Sequence, residues 1–419
     1  MLLRNSKTLA ALLVCGAMLV ACGDSEEPSS PVEESGTVVK HRLDQTQGEQ
    51  LAGAAPLMVL VSSGSTAQVQ GFSSEGKPLA DVSTQVEAVK DSRLERFADG
   101  YAVADKNAIA VLNSSGTRVK ALPVPEVDEN AALAASDSSP HFSTTIMAFD
   151  LPPEDGGTVD RTRIAKLHSA SGQGGGDINS QVITRKADIT SLTACDDGSA
   201  LWLEFKPSTL VGNSGAGVAS LVTWTEENGV ETYPVDYEFA ARPWDINQLD
   251  CERKHHRLVA DDGSGGVINL GIQKDGPRYK VAGKRPVKKA NSDVIDGSYG
   301  AINGDMLTTI NDKGKVTVID MYKGEVASSV EFSQHYMDRR SLNATSADGA
   351  YVYALFGGAS ESAADGSSRA SAVIMDFNQP RCRRNIELEV PASSTVTSAF
   401  MQVTDSEKTI EPPCQADRS

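Results

Sequence analysis

The sequence predicts an all-β fold, and three features lead to this prediction. From Leu57 onward, short runs of β-branched and aromatic residues alternate with turns of Gly, Asp, Asn and Ser. Stretches with the 3.6-residue apolar period of an amphipathic helix are scarce. Asp-Gly pairs stand between apolar runs, where glycine accepts the positive φ that a tight hairpin turn requires. The chain has 419 residues, enough for one large repetitive domain or two ordinary ones.

A strand–turn–strand unit recurs along the chain. Ser191–Phe205 and Ser341–Phe356 each read as a short strand, an Asp-Gly turn and a more apolar strand, and Leu307–Asp320 forms a similar hairpin. When the more apolar strand is taken as a marker, seven units begin 42 to 58 residues apart. These spacings lie within or somewhat above the range of β-propeller blades. The seven markers are Val59, Tyr101, Thr144, Ala200, Leu258, Leu307 and Tyr351.

This rhythm resembles bacterial β-propellers of the WD40-like and YVTN-like kind over residues 56–403. The resemblance implies seven blades, with six or eight as alternatives because the unit around residues 141–190 is weak. Neither Gly-His nor Trp-Asp recurs from unit to unit as a signature, so the resemblance implies a fold and no functional residues. Thr395–Val403 is expected to be a last strand that pairs with the first blade, which would remove exposed edges. A tandem pair of β-sandwiches is the alternative architecture.

The N-terminal residues have the pattern of an export signal. Arg4 and Lys7 precede an apolar run, Leu9–Val20, that is too short to span a bilayer as a mature helix. The sequence Leu19-Val20-Ala21-Cys22 resembles the lipobox of bacterial lipoproteins. The resemblance implies removal of residues 1–21 and lipidation of Cys22 as the new N-terminus. An ordinary secretory signal is the alternative.

The segments that flank the β-rich part are polar. Residues 22–55 are rich in Ser, Glu, Gly and Pro, a composition that cannot bury enough surface to fold, so we expect a disordered acidic tether. Residues 404–419 are expected to form a polar tail. The chain is therefore predicted to stand on the extracytoplasmic side of a bacterial envelope membrane, held by its lipid.

The formal net charge of the chain is −17. An acidic surface repels phosphate backbones and anionic headgroups, so nucleic acid is not expected as a partner. For the same reason we expect membrane attachment to come from acyl chains on Cys22 rather than from a basic patch.

Four cysteines follow the leader and Cys22, at positions 195, 251, 382 and 414. An even number in an exported chain predicts two disulfides, with three possible connectivities. No pair has the Cys-x-x-Cys spacing that structural zinc sites favour. Under the propeller resemblance, Cys195 and Cys251 fall at equivalent positions of consecutive blades, which implies a bridge between them. Cys382 and Cys414 would then tie the tail to the last blade.

The weak candidates for a metal site are His255, His256, Asp261 and Asp262. Adjacent residues of a strand point to opposite faces, so both imidazoles could not reach one ion on a regular strand. The glycine-rich stretch Asp261–Gly266 lacks the alternating carboxylates of a calcium loop and reads instead as a hairpin turn. Trp202, Trp224 and Trp244 are expected to be packing residues.

The leading functional hypothesis is a membrane-anchored lipoprotein whose propeller binds a ligand or an envelope protein. The chain has no Gly-x-Ser-x-Gly nucleophile elbow, and the sequence identifies no catalytic residue and no cofactor. One alternative is a propeller enzyme, lactonase-like or another hydrolase, with a metal at the channel mouth. Another is a metal-binding or transporter-accessory protein.

Overall fold

The structure is a computed structural model, and it confirms the all-β prediction. The described residues form 27 strands and no helix, so none of them forms a helix long and apolar enough to cross a membrane. Every strand lies within the unit Lys40–Ser419. The described ranges are 55–63, 66–152, 161–172, 176–208, 216–244, 249–291, 299–303, 305–310, 315–331, 340–345, 351–357, 368–376, 383–391 and 394–401.

Most strands are five to nine residues long, as expected of short β-branched runs ended by turns. In chain order they are β1 (Leu57–Ser63), β2 (Thr66–Phe72), β3 (Pro78–Val86), β4 (Leu94–Phe97), β5 (Gly100–Asp105), β6 (Ala108–Leu112), β7 (Arg118–Pro123), β8 (Ala132–Ser138), β9 (Thr144–Leu151), β10 (Arg161–His168), β11 (Asn179–Arg185), β12 (Asp188–Ala194), β13 (Ala200–Pro207), β14 (Gly217–Thr225), β15 (Gly229–Phe239), β16 (His255–Asp261), β17 (Gly266–Asp275), β18 (Arg278–Asn291), β19 (Tyr299–Asn303), β20 (Met306–Ile310), β21 (Lys315–Asp320), β22 (Glu325–Glu331), β23 (Arg340–Thr345), β24 (Tyr351–Gly357), β25 (Ser368–Asp376), β26 (Arg383–Val390) and β27 (Thr395–Met401).

The strands form four antiparallel sheets of four strands and one composite sheet. The four-stranded sheets have the orders β27-β1-β2-β3, β4 to β7, β8 to β11 and β23 to β26. The composite sheet joins three antiparallel groups, β12 to β15, β16 to β18 and β19 to β22. Short parallel pairings hold these groups together, between β15 and β18 at Val235 and Tyr279 and between β18 and β22 at Lys288 and Glu325.

The last strand pairs with the first. β27 runs antiparallel to β1, from Leu57 opposite Met401 to Ser62 opposite Thr395, which confirms the pairing predicted for Thr395–Val403. Each of the seven predicted markers falls on a strand, namely β1, β5, β9, β13, β16, β20 or β24. The unit expected to be weak contributes β9, β10 and β11 to a regular four-stranded sheet.

The hydrophobic core lies between successive sheets. Separate clusters of buried residues join the first sheet to β4–β7, that sheet to β8–β11, and β8–β11 to the group β12–β15. The next clusters join β12–β15 to β16–β18 and β16–β18 to β20 and β21. A further cluster packs the first sheet against β25 and β26. Buried clusters therefore join each group to the next from the first sheet as far as β19–β22, and the last group, β23–β26, packs against the first.

A buried cation among aromatic rings connects the first three sheets. The guanidinium carbon of Arg96, on β4, lies 4.7 Å from the ring centre of Tyr101, 5.1 Å from that of Phe142 and 5.0 Å from that of Phe400. Phe400 belongs to β27, and Phe142 belongs to the turn before β9. The two phenylalanine rings meet edge to face at 6.0 Å. We call these four residues the aromatic seam.

Candidate functional site

The first strands of successive groups are polar where the strands beside them are apolar. β8 has the sequence Ala132-Leu-Ala-Ala-Ser-Asp-Ser138, and its neighbour β9 buries Ile146 to Phe149. β8 contacts β4 on one side and β12 on the other. The polar side chains of β8 therefore lie between strand groups and contact their neighbours.

Glu95, on β4, is held by two serines of β8. The Ser136 hydroxyl donates a 2.6 Å hydrogen bond to Oε1 of Glu95, and the Ser138 hydroxyl donates a 3.4 Å bond to Oε2. Burial of the carboxyl raises the pKa of Glu95, and the serine hydrogen bonds offset part of this increase. Glu95 therefore gives up its proton less readily than an exposed glutamate does.

Asp137, between those two serines, contacts the next group of strands. Its Oδ2 accepts a 2.8 Å hydrogen bond from the backbone N–H of Ala194, at the end of β12. Burial, reinforced by the negative charge of Glu95, raises the pKa of Asp137 to about 8. At neutral pH the Asp137 carboxyl is therefore largely protonated and can donate a hydrogen bond. Glu95 and Asp137, which we call the carboxyl pair, together can accept a hydrogen bond, donate one, or balance the charge of a cation.

A disulfide lies next to the carboxyl pair. Cys195 follows Ala194 directly, and its Sγ lies 2.09 Å from that of Cys251, which confirms the bridge predicted between these two positions. The Arg253 guanidinium donates a 3.0 Å bond to the Asp197 carboxylate across the same gap. These four residues, which we call the bridged seam, join β12–β15 to β16–β18. Cys22, Cys382 and Cys414 lie outside the described residues, and their modification and pairing stay predictions.

The candidate metal ligands do not converge. His255 begins β16 and Asp261 ends it, with Gln273 and Val267 as their partners at opposite ends of β17. At about 3.3 Å per residue they stand roughly 20 Å apart. His256 points to the other face of the strand from His255 and is 3% exposed.

The local bonds of these residues show what they do instead. Nδ1 of His256 accepts a 2.9 Å hydrogen bond from the Asp250 N–H, and burial together with the nearby His255 lowers the pKa of His256 to about 3. Asp261 accepts a hydrogen bond from the N–H of Gly263, and Asp262 accepts several within the same turn. The stretch is a hairpin turn, as predicted. Within the described ranges, no group of three His, Cys, Asp or Glu residues is arranged to hold a metal ion.

Two of the three tryptophans form core between β8–β11 and β12–β15, as predicted. Trp202 and Trp224 are buried and meet edge to face at 6.4 Å. Lys166, only 2% exposed, places Nζ 4.6 Å from the ring centre of Trp224. Burial lowers the pKa of Lys166, while the ring face attracts its cationic form. Trp244 is partly buried against the cluster that joins β16–β18 to β20 and β21.

Sequence reasoning did not find the carboxyl pair or the charge of β18. Glu95 and Asp137 are two of 56 acidic residues, and no local pattern separates them from the exposed ones. A scan of charge along the chain would have found β18, because Arg278–Asn291 has six Lys or Arg residues and no Asp or Glu.

Comparison with known proteins gives distant likenesses. No family model matches the chain, and no curated protein matches it. A puromycin-hydrolysing peptidase from Mycobacterium tuberculosis is 14% identical with a TM-score of 0.44, and the match covers 83% of this chain and 55% of the peptidase. Apo AztD from Citrobacter koseri is 12% identical with a TM-score of 0.36, over 82% of this chain and 89% of that protein. The chain thus spans about half the length of the peptidase, and neither likeness assigns a function.

Proposed function

We propose that this chain is a membrane-anchored extracytoplasmic lipoprotein whose folded part is a seven-bladed β-propeller that binds a ligand or an envelope protein. The observation that carries the architecture is the antiparallel pairing of β27 with β1. In a propeller, such a pairing completes the first blade with the last strand and closes the ring.

The order of the strand groups supports seven blades. The four four-stranded sheets and the three groups of the composite sheet make seven units. Buried clusters join six of the seven successive pairs, and β19 contacts β23 in the remaining pair. Where first strands contact one another, they do so in chain order. β27 contacts β4, β4 contacts β8, and β8 contacts β12; further along the chain, β19 contacts β23, and β23 contacts β27. Two sandwiches would instead pack sheets face to face in pairs.

The carboxyl pair is the proposed recognition site. First strands of propeller blades surround the central channel, and here they hold Glu95 and Asp137 together with Ser136 and Ser138. A protonated Asp137 can donate to a ligand oxygen, and a bound amine or other cation would offset the cost of burying ionised carboxyls, which is the main reason that Asp137 stays protonated. We therefore propose a polar ligand or partner group that forms hydrogen bonds and can be cationic.

Capture of partners by matched variants tests the site. The mature chain is compared with Glu95→Gln/Asp137→Asn and with a control, Asp81→Asn/Glu227→Gln, which makes the same two types of substitution at exposed positions. After mild crosslinking in envelope preparations, the mature chain and the control should capture the same species and the site variant should lose it. Equal capture by all three proteins, or no capture by the mature chain, would count against the proposal.

Metabolic labelling with a fatty-acid analogue tests the anchor separately. The chain should incorporate the label, Cys22→Ala should lose incorporation, and Cys15→Ala should keep it because Cys15 lies in the leader. Label retained by Cys22→Ala would contradict lipidation at this position.

A further inference from the structure

Strand β18 is a basic strip in an acidic protein. Its 14 residues include six cations, Arg278, Lys280, Lys284, Arg285, Lys288 and Lys289, and no acidic residue. The chain as a whole has a formal charge of −17. The sequence around the strip extends this local excess, since residues 249–291 have ten Lys or Arg against five Asp or Glu.

Strand β18 has both buried apolar residues and exposed cations. Tyr279 and Val287 are buried and belong to the clusters that join β18 to its neighbours. The core thus fixes the backbone of β18, while Arg278, Lys280, Lys284, Arg285 and Lys288 are exposed to solvent.

The exposed cations are only partly neutralised. Arg278 and Lys280 form exposed ion pairs with Asp236 and Asp275, a type of pair that stabilises weakly and dissociates in salt. By contrast, Lys284, Arg285 and Lys288 form no ion pair among the described residues.

Aromatic rings accompany these cations. The Lys284 ammonium lies 5.8 Å from the ring centre of Tyr237, and the Arg285 guanidinium lies 5.7 Å from that of Tyr322. Tyr322 is 64% exposed, which is unusual for so large a ring. Amphipathic rings beside cations are common where proteins meet the headgroup region of a bilayer.

The geometry of the strip favours a flat anionic surface over a single small anion. β18 is extended along its 14 residues, about 45 Å, and its cations form a row rather than converging on one point. Antiparallel pairing to β17 on one side and parallel pairing to β15 and β22 near its two ends on the other hold this row in place. A row of fixed cations matches the spread charge of anionic headgroups.

We propose that the exposed cations of β18 dock on the anionic phospholipid surface of the membrane to which the chain is anchored. The inference rests on the proposed function in one respect, because lipid on Cys22 would hold β18 within reach of that surface. It also revises the expectation that attachment comes from the lipid alone. Cations near an anionic bilayer are attracted within about one Debye length, roughly 8–10 Å, so docking would set which face of the protein meets the membrane.

Vesicle binding by the chain 22–419 with Cys22→Ser tests the docking without the lipid anchor. Every described strand lies within these residues. Cosedimentation uses vesicles of phosphatidylcholine alone or with about one third phosphatidylglycerol. The strip variant is Lys284→Gln/Arg285→Gln/Lys288→Gln, and the matched control is Lys77→Gln/Lys120→Gln/Lys206→Gln, which removes the same charge from exposed positions elsewhere.

The unsubstituted chain should bind anionic vesicles and dissociate from them at about 0.5 M salt. It should not cosediment with neutral vesicles. The strip variant should bind at least tenfold more weakly, while the control stays within about twofold, and thermal unfolding should show all three proteins folded. Three results would overturn the proposal: no binding to anionic vesicles, equal weakening by both triple variants, or binding to soluble polyphosphate in preference to vesicles. Failure here leaves the fatty-acid labelling result intact, so the two proposals fail separately.

Discussion

The aromatic seam and the bridged seam both hold neighbouring groups of strands together, but through different interactions. Both join successive groups of strands, the former at β27, β4 and the turn before β9, the latter between β12–β15 and β16–β18. The aromatic seam relies on buried rings around Arg96, so its stability comes from packing and from the attraction of a cation to π faces. The bridged seam relies on a covalent bond and an ion pair at the surface.

The two regions also differ in the strands around them. The aromatic seam lies beside complete four-stranded sheets, and Phe97 and Tyr101 are almost wholly buried there. At the bridged seam, the group β16–β18 has three strands among the described residues, and much of β18 is exposed and charged. Cys195 itself belongs to the hydrophobic cluster that joins β12–β15 to β16–β18, so the covalent link adds to packing at this seam rather than replacing it.

The sharpest way to separate the two seams is to remove the disulfide. Cys195→Ser/Cys251→Ser opens a link between residues 56 apart in the sequence, and the chain-entropy model gives a loss of about 4 kcal/mol in unfolding free energy. The control Asp197→Asn breaks only the exposed ion pair and should cost less than about 1 kcal/mol. Denaturant unfolding measures both. A loss under about 1 kcal/mol for the double variant would show that packing alone holds this seam.

Truncation of a ring in the aromatic seam should lower the unfolding free energy, and reductant should not change that loss. Phe400→Ala removes a ring that packs on Arg96, Tyr101 and Phe142, and we expect a loss of about 3 kcal/mol. The loss should be the same with and without reductant, since distant sites add independently. Tyr322→Ala, at an exposed ring, should cost less than about 0.5 kcal/mol. A loss that changes with reductant would mean that the seams are coupled.

Asp137 lies between the two seams and should make stability depend on pH. Its pKa of about 8 in the folded chain stands well above the value near 3.9 of an unfolded aspartate. Between these values the folded state binds more protons, so the unfolding free energy falls as pH rises from about 4 to 8, by at most about 1.4 kcal/mol per pH unit. Asp137→Asn should flatten this slope and Asp81→Asn should not, as thermal unfolding at pH 5 and pH 8 will measure. If the stability of the unsubstituted chain, of Asp137→Asn and of Asp81→Asn changed with pH in the same way, the role of the Asp137 carboxyl would be refuted.

Much of the strand order could be predicted from the sequence, because turn chemistry acts locally. Gly198 of the Asp-Gly turn after β12 has φ of 78°, the conformation for which glycine is needed. The pairing of β27 with β1 was also predicted, since an apolar last strand needs a partner and the first strand has a free edge. The bridge from Cys195 to Cys251 followed from equal positions in consecutive units.

The candidate site could not be predicted in the same way, because it depends on contacts between strands far apart in the sequence. The pKa of Asp137 is set by burial between β8 and β12 and by Glu95 on another strand, and no local pattern records these neighbours. The parallel pairings of β18 are equally non-local, since they join outer strands of separate groups. The strip itself was visible in the charge of residues 278–289, but only the structure shows which of its cations are exposed and which rings lie beside them.

The pairing of the first strand with the last also determines how long β1 lacks a partner strand during synthesis. Thr397, whose hydroxyl donates to the Leu60 carbonyl, follows it by 337 residues. At ordinary synthesis rates of roughly 5 to 20 residues per second, β1 therefore waits on the order of 20 to 70 s for its partner. During that interval its edge is open to pairing with other chains. The nascent protein is thus most vulnerable to aggregation just before synthesis is complete. At that point the strands of the other six groups have been made, and the first group still lacks β27.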